Sequence, residues 1–237
     1  MERIPIRARA RWLSGLAWVA STLTPAVAAA GPVTWVGPGG GFWEVPENWN
    51  PGLPGAGDDA LLGAFATESR VGTVGIRSFT GTGVLTVSGG SLLSVTNPSS
   101  TGGLTLASGA LGGAGDVSIA GAMIVSGGDH RGTGTTTLHG ATTIGPGGFR
   151  LDGGRTVVNL STTTWNNGLF LFNNTIDGLG AGPGSGTFNN AAGASFIVSG
   201  DFAHLIGVTD FGGNDTGADA LFINSGTFVN QGAAPII

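Results

Sequence analysis

A nineteen-residue phrase recurs in the middle of the chain and restricts the fold more than any other feature. Val117-Ser-Ile-Ala-Gly-Ala-Met-Ile-Val125 is followed by Thr136-Thr-Leu-His-Gly-Ala-Thr-Thr-Ile144, so Ile119 corresponds to Leu138, Gly121 to Gly140, Ala122 to Ala141 and Val125 to Ile144. The same step runs upstream, because Leu85-Thr-Val87, Leu104-Thr-Leu106, Met123-Ile-Val125 and Thr142-Thr-Ile144 begin at 85, 104, 123 and 142. Short apolar segments repeated at such a period, separated by Gly and Ser, mark a stack in which each unit buries its side chains against its neighbours.

The residues choose strand over helix for that unit. Of 237 residues 47 are Gly, and each Gly inside a helix costs about 1 kcal/mol, whereas Thr, Val and Phe suit a pleated surface. In Val117-Ser-Ile119 and Leu104-Thr-Leu106 the apolar side chains alternate with hydroxyls, which puts the former inside and a Ser/Thr exterior outside. The glycines at 89, 90, 102, 103, 109, 112, 113, 127, 128, 147 and 148 fall between strands, where bends favour backbone angles that side chains oppose. Nineteen extended residues make a circuit of roughly 60 Å at most, enough for three short strands and three bends. The reading is therefore all-β: a single-stranded, right-handed parallel β-helix, or solenoid, closed by an N-terminal aromatic cap. At about 4.8 Å per turn, residues 81–237 make a rod roughly 40 Å long.

Residues 1–30 read as a signal peptide. Arg3, Arg7, Arg9 and Arg11 precede an apolar stretch from Trp12 to Leu23, and Ala28-x-Ala30 before Gly31 is a small-residue cleavage site. The mature chain is then secreted or carried to the bacterial cell surface by the general export pathway, with no transmembrane segment left after cleavage. It keeps five Arg against thirteen acids, a net charge of −8, with no Lys and no Cys. Such a surface repels phosphates, so nucleic acid is not a partner. Nothing staples the fold covalently, and stacking has to hold it.

Residues 31–80 form the cap and first strands. Trp35, Phe42, Trp43 and Trp49 fall within fifteen residues, punctuated by Pro and Gly, and a solenoid needs such a plug over its open first edge. Stacking of the same rings on sugars is the competing use. Trp35, Trp43, Asn48-Trp49, Pro54, Gly57 and Asp58 resemble the opening of secreted bacterial β-helical proteins, the autotransporter-associated and passenger-like repeat proteins. That resemblance implies an exported structural or adhesin-like protein, a rigid scaffold for adhesion, matrix formation or display, whose partners are a glycan or a cell-surface protein. It also implies a C-terminal anchor or translocating barrel, which would lie outside this chain and make it a fragment, a freely secreted form or a subunit.

The second half keeps the style and loses the period. Phe149-x-Leu151, Val157-Val-x-Leu160, Trp165 and Leu169-Phe-Leu-Phe172 are strand candidates, bordered by Asn166, Asn167, Asn173 and Asn174, whose amides suit bends. Gly186-Thr-Phe188-Asn-Asn190 answers Gly226-Thr-Phe228-Val-Asn230, which reads as two longer turns of the same repeat with Phe188 stacked in line with Phe228. This Gly-Thr-Phe-x-Asn phrase also resembles repeats of bacterial surface β-helices.

Few residues offer chemistry. Asp129-His130-Arg131 reads as a polar loop interrupting the repeat, His139 as an outward strand residue and His204 as isolated, so the three histidines form no metal site. The best catalytic set is Asp129, Arg131, Arg150, Asp152 and Arg155, whose offsets of 19 to 24 residues can bring them to adjacent turns of one face. It carries the alternative function, a carbohydrate-active enzyme or glycan-binding module, with paired acids doing acid and base work. No cofactor is implied, except that Asp210, Asn214, Asp215 and Asp219 supply hard oxygens in a Gly-rich loop and are the candidates for calcium.

Overall fold

The computed structural model describes residues 31–172, 186–200, 205–208 and 220–232. Apart from one 3-10 turn at Pro46–Asn48, its regular structure is β, in parallel sheets of many strands. The leader, the calcium candidates Asp210, Asn214, Asp215 and Asp219, and His204 lie outside the described residues.

The strands fall into three columns, each strand hydrogen-bonded to the next visit of the chain to that column. The first column contains Asp59–Gly63, Ser78–Gly81, Ser99–Thr101, Val117–Ile119, Thr135–Leu138, Thr156–Asn159, Thr187–Asn190 and Leu221–Asn224. The second runs through Thr67–Ser69, Val84–Ser88, Gly103–Gly112, Met123–His130, Thr142–Ile144, Thr162–Trp165, Ser195–Val198 and Thr227–Asn230. The third begins with Thr73–Ile76 and Leu92–Val95, joins the far halves of the long strands Gly103–Gly112 and Met123–His130, and continues through Phe149–Leu151, Leu169–Phe172 and Leu205–Val208. From Asp59 onward the chain visits the columns in strict rotation.

Register follows the sequence repeat. Ile119 pairs with Leu138, and Leu85, Leu104, Met123 and Thr142 lie in one parallel row. Alternate side chains of all three columns enter one buried cluster, which includes Phe79, Leu85, Leu93, Leu104, Leu111, Ile119, Val125 and Leu138. Downstream the strands stay short while the connections lengthen: Thr135 pairs with Thr156 and Thr156 with Thr187. Phe188 and Phe228 are consequently not in line. Phe188 stacks on Phe222 in the first column and Phe196 on Phe228 in the second, with centroids 5.4 Å apart in both pairs. The two Gly-Thr-Phe phrases belong to different columns, and their forty-residue spacing is not a multiple of a turn.

The N-terminal end is built differently. Trp49–Asn50 runs antiparallel to Pro32–Trp35 and ends the first sheet. Trp35, Trp43 and Trp49 are buried, with edge-on ring contacts at 4.9 and 4.6 Å, and the Trp49 indole donates to the Trp43 carbonyl at 2.7 Å. Arg70 lies over the Phe42 ring and pairs with Glu44, covering the group from the next strand.

Glycine proves to be a packing requirement more than a torsional one. Of the eleven glycines that the sequence places between strands, 103, 109, 112, 127 and 128 lie inside the long strands Gly103–Gly112 and Met123–His130, and 89, 90, 113, 127 and 148 have positive φ while the others do not. At Gly102, Gly121 and Gly140 the constraint is proximity: a Cβ there would stand 1.8, 2.4 and 2.1 Å from the carbonyl oxygen of the bend beneath. The exterior is also less uniformly hydroxylic than alternation suggests, since Thr67, Thr142 and Thr163 point inward and their hydroxyls are buried without a partner.

Two outcomes follow for urea unfolding. Gly121→Ala lowers the unfolding free energy by about 2 kcal/mol through the backbone clash, while Gly75→Ala, with open space around its Cβ, stays within about 0.5 kcal/mol of the parent. Thr142→Val and Thr163→Val each raise it by about 1 kcal/mol, because a methyl replaces a hydroxyl that has lost water and gained nothing.

Candidate functional site

The rotation of strands brings four of the five candidate side chains together. Asp129 and Arg150 are register partners on adjacent strands of the third column, and Arg131 and Asp152 follow two residues later, just past the ends of those two strands, where their backbone N–H groups continue the ladder. Alternation turns these four to one side of the sheet, opposite to His130 and Leu151. Acid and base therefore alternate along each strand and across the ladder. Asp129 accepts from Arg131 at 2.5 Å through one oxygen and from Arg150 at 3.1 Å through the other. Asp152 is buried and accepts from the Gly153 backbone N–H at 2.6 Å. Beside them is a shallow cleft of about 150 Å³, lined by Leu92, Ser94, Arg131, Asp152 and the glycines 112, 113, 132 and 153.

Gly112 leaves space beside Arg131 in the lining of that cleft. Any Cβ at 112 would meet the Arg131 side chain at 3.0 Å and Leu92 at 3.2 Å. The set is thus assembled by backbone register.

Arg155 takes a different place. Its guanidinium is buried in the interior, where Nε donates to Thr136 Oγ1 at 3.0 Å, Nη1 to the carbonyl of Gly113 at 3.1 Å and of Arg131 at 3.4 Å, and Nη2 to that of Gly115 at 3.2 Å. Burial pushes its pKa down to about 10, so it remains charged at neutral pH. One cation therefore ties together the backbone of successive bends. It faces away from the cleft and belongs to the scaffold.

His130 overturns its sequence reading. Instead of marking a polar loop it ends the strand Met123–His130 with its ring fully buried, between Leu111 below and Leu151 above, and edge-on to Phe149 at 5.1 Å. Thr136 Oγ1 lies 3.3 Å from Nδ1. Desolvation, with a further contribution from Arg155, holds its pKa well below the ordinary value of 6.5. The signal was present in the sequence: the nineteen-residue step from Leu111 lands on His130.

A second polar feature escaped sequence reasoning. Asn159, Asn190 and Asn224 close three successive strands of the first column. The Asn159 amide donates to Asn190 Oδ1 at 2.8 Å, and the Asn190 amide to Asn224 Oδ1 at 2.7 Å. The Asn159 amide also donates to the carbonyls of Ser161 and Ser195, and the Asn190 amide to that of Thr227. Of the asparagines singled out from sequence, Asn167 caps its own bend through Gly168 N–H, Asn166 accepts from Ser199, and Asn173 and Asn174 lie outside the described residues.

Among the described residues no three His, Cys, Asp or Glu side chains group as a metal site, and no helix is long and apolar enough to cross a membrane. Comparison with protein-family models, curated proteins and solved structures yields no match.

The arrangement separates two kinds of arginine. Arg155→Ala destabilises by on the order of 3 kcal/mol, since it strands several buried acceptors of a charged donor; Arg150→Ala, whose side chain is one-third exposed, costs less than about 1 kcal/mol. Equilibrium urea unfolding of both variants measures the difference.

Proposed function

We propose that the chain is an exported scaffold: a right-handed parallel β-helix, capped at its N-terminal end by the Trp35, Trp43 and Trp49 cluster, that acts at or beyond the bacterial surface in adhesion, matrix formation or display. The observation that carries this reading is the strict rotation of strands through three columns in continuous parallel register. Such a stack resists bending and offers long walls of repeated side chains for contact. The charged groups on the third wall support a structural role, because Asp129 is engaged by two arginines and Arg155 is committed to interior carbonyls. The apolar leader, the small-residue site before Gly31 and the absence of Cys and Lys agree with an exported chain held by stacking.

Proteinase accessibility on intact cells, with mass determination of the processed chain, tests the reading. The expected product starts at Gly31 and is found outside the cytoplasm; an intact leader retained in the cytoplasm refutes export. Cells displaying the protein should adhere more to glycan-coated or cell-derived surfaces than cells displaying Gly121→Ala.

The alternative of a carbohydrate-active or glycan-binding module draws on one observation, the convergence of Arg131 and Asp152 on the cleft. It predicts new reducing ends or unsaturated products from a polysaccharide panel, or saturable binding, lost in Asp152→Asn.

A further inference from the structure

We infer that His130 makes the middle of the stack an acid-sensitive latch: the fold closes around a neutral imidazole that cannot take a second proton, and acidification opens the strands that enclose it.

Arg155 Nε donates to Thr136 Oγ1, leaving the threonine hydroxyl its own proton to give. His130 Nδ1 lies 3.3 Å away, and Thr136 is the ring's hydrogen-bond partner in either neutral tautomer; the other ring nitrogen is Nε2. That atom is buried and has no partner. A second ring proton would leave a buried Nε2–H without an acceptor and create an imidazolium beside the Arg155 guanidinium.

Nothing nearby compensates such a charge. Leu111 packs below the ring, Leu151 above and Phe149 against its edge. Thr136 faces it from the first column, and the charged group that acts on it is Arg155. Asp129 on its own strand and Arg131 just past its end, with Arg150 on the next strand and Asp152 just past that one, occupy alternate positions and turn to the other side of the sheet, where Asp129 is already engaged by both arginines.

The direction of the pH effect is fixed by linkage. The folded ring is held neutral, whereas an opened chain titrates near 6.5, so below that pH the open state gains a proton that the closed state refuses. Stability is complete above pH 6.5 and declines as pH falls, by up to tenfold in the opening equilibrium per pH unit. Asp59, held at about 2 by its hydrogen bonds from Arg77 and Ser78, titrates well below this window.

Hydrogen exchange of the full chain, followed by mass spectrometry and corrected for intrinsic rates, tests the latch. Between pH 7.0 and 5.0, peptides covering residues 103–112, 123–131 and 149–155 should lose roughly thirtyfold in protection, and His130→Leu, which continues the Leu111 and Leu151 row, should remove that loss. Equal pH dependence in parent and variant overturns the proposal. If the variant fails to fold, nitrogen NMR of the parent imidazole decides: a neutral ring in the folded chain at pH 5.0 supports the latch, and an imidazolium there overturns it.

Discussion

The fold depends on one constraint, the vertical register in which each strand meets the strand of the next visit. Once Ile119 is set over Leu138 and Leu104 over Met123, every bend is set over a bend, and the backbone there comes so close that Gly102, Gly121 and Gly140 have no room for a Cβ. Composition and topology are thus one fact. The high glycine content serves a chain that passes over itself at sheet spacing with little clearance at the corners.

Register also governs what the interior may contain. Leu, Ile, Val and Met fill the middle rows, and rings take over toward both ends: three tryptophans under the antiparallel strand, then Phe149, Trp165, Phe170, Phe188 and Phe196 in the later rows. Stacking gives polar residues a use inside as well. An asparagine repeated at one position finds its partner in the next copy, as Asn159, Asn190 and Asn224 do. Arg155 serves the same end by a different route, a single cation that satisfies carbonyls from two successive bends. Repetition does not by itself supply a partner: Thr142 and Thr163 are register neighbours whose hydroxyls are both buried unpaired, and His130 keeps a buried Nε2 without one.

Periodicity made part of this legible in the chain alone. Strand identity, parallel pairing and the nineteen-residue row through Leu85, Leu104, Met123 and Thr142 follow from apolar positions whose spacing never changes. Where connections lengthen, identical words cease to mean identical places, and Phe188 and Phe228 were matched by spelling while the ladder matched Phe188 with Phe222. Four members of the charged set were recoverable because their offsets approximate one turn; Arg155 was not, since nothing in an arginine's spacing tells whether it faces water or carbonyls. Residue type misled at His130, where polarity suggested a loop and the repeat count, followed strictly, placed it in the core.

The absence of cysteine permits a direct measurement of the register. Ile124 and Thr143 are exposed partners on adjacent strands of the second column, and Thr164 is the next partner along the row. Nitroxide labels on Cys introduced at 124 and 143 should lie one strand spacing apart, about 5 Å between backbones, and show strong spin exchange. Labels at 124 and 164, two spacings apart, should couple far more weakly. Strong coupling in the second pair, or none in the first, would contradict the parallel stack from which everything else here is built.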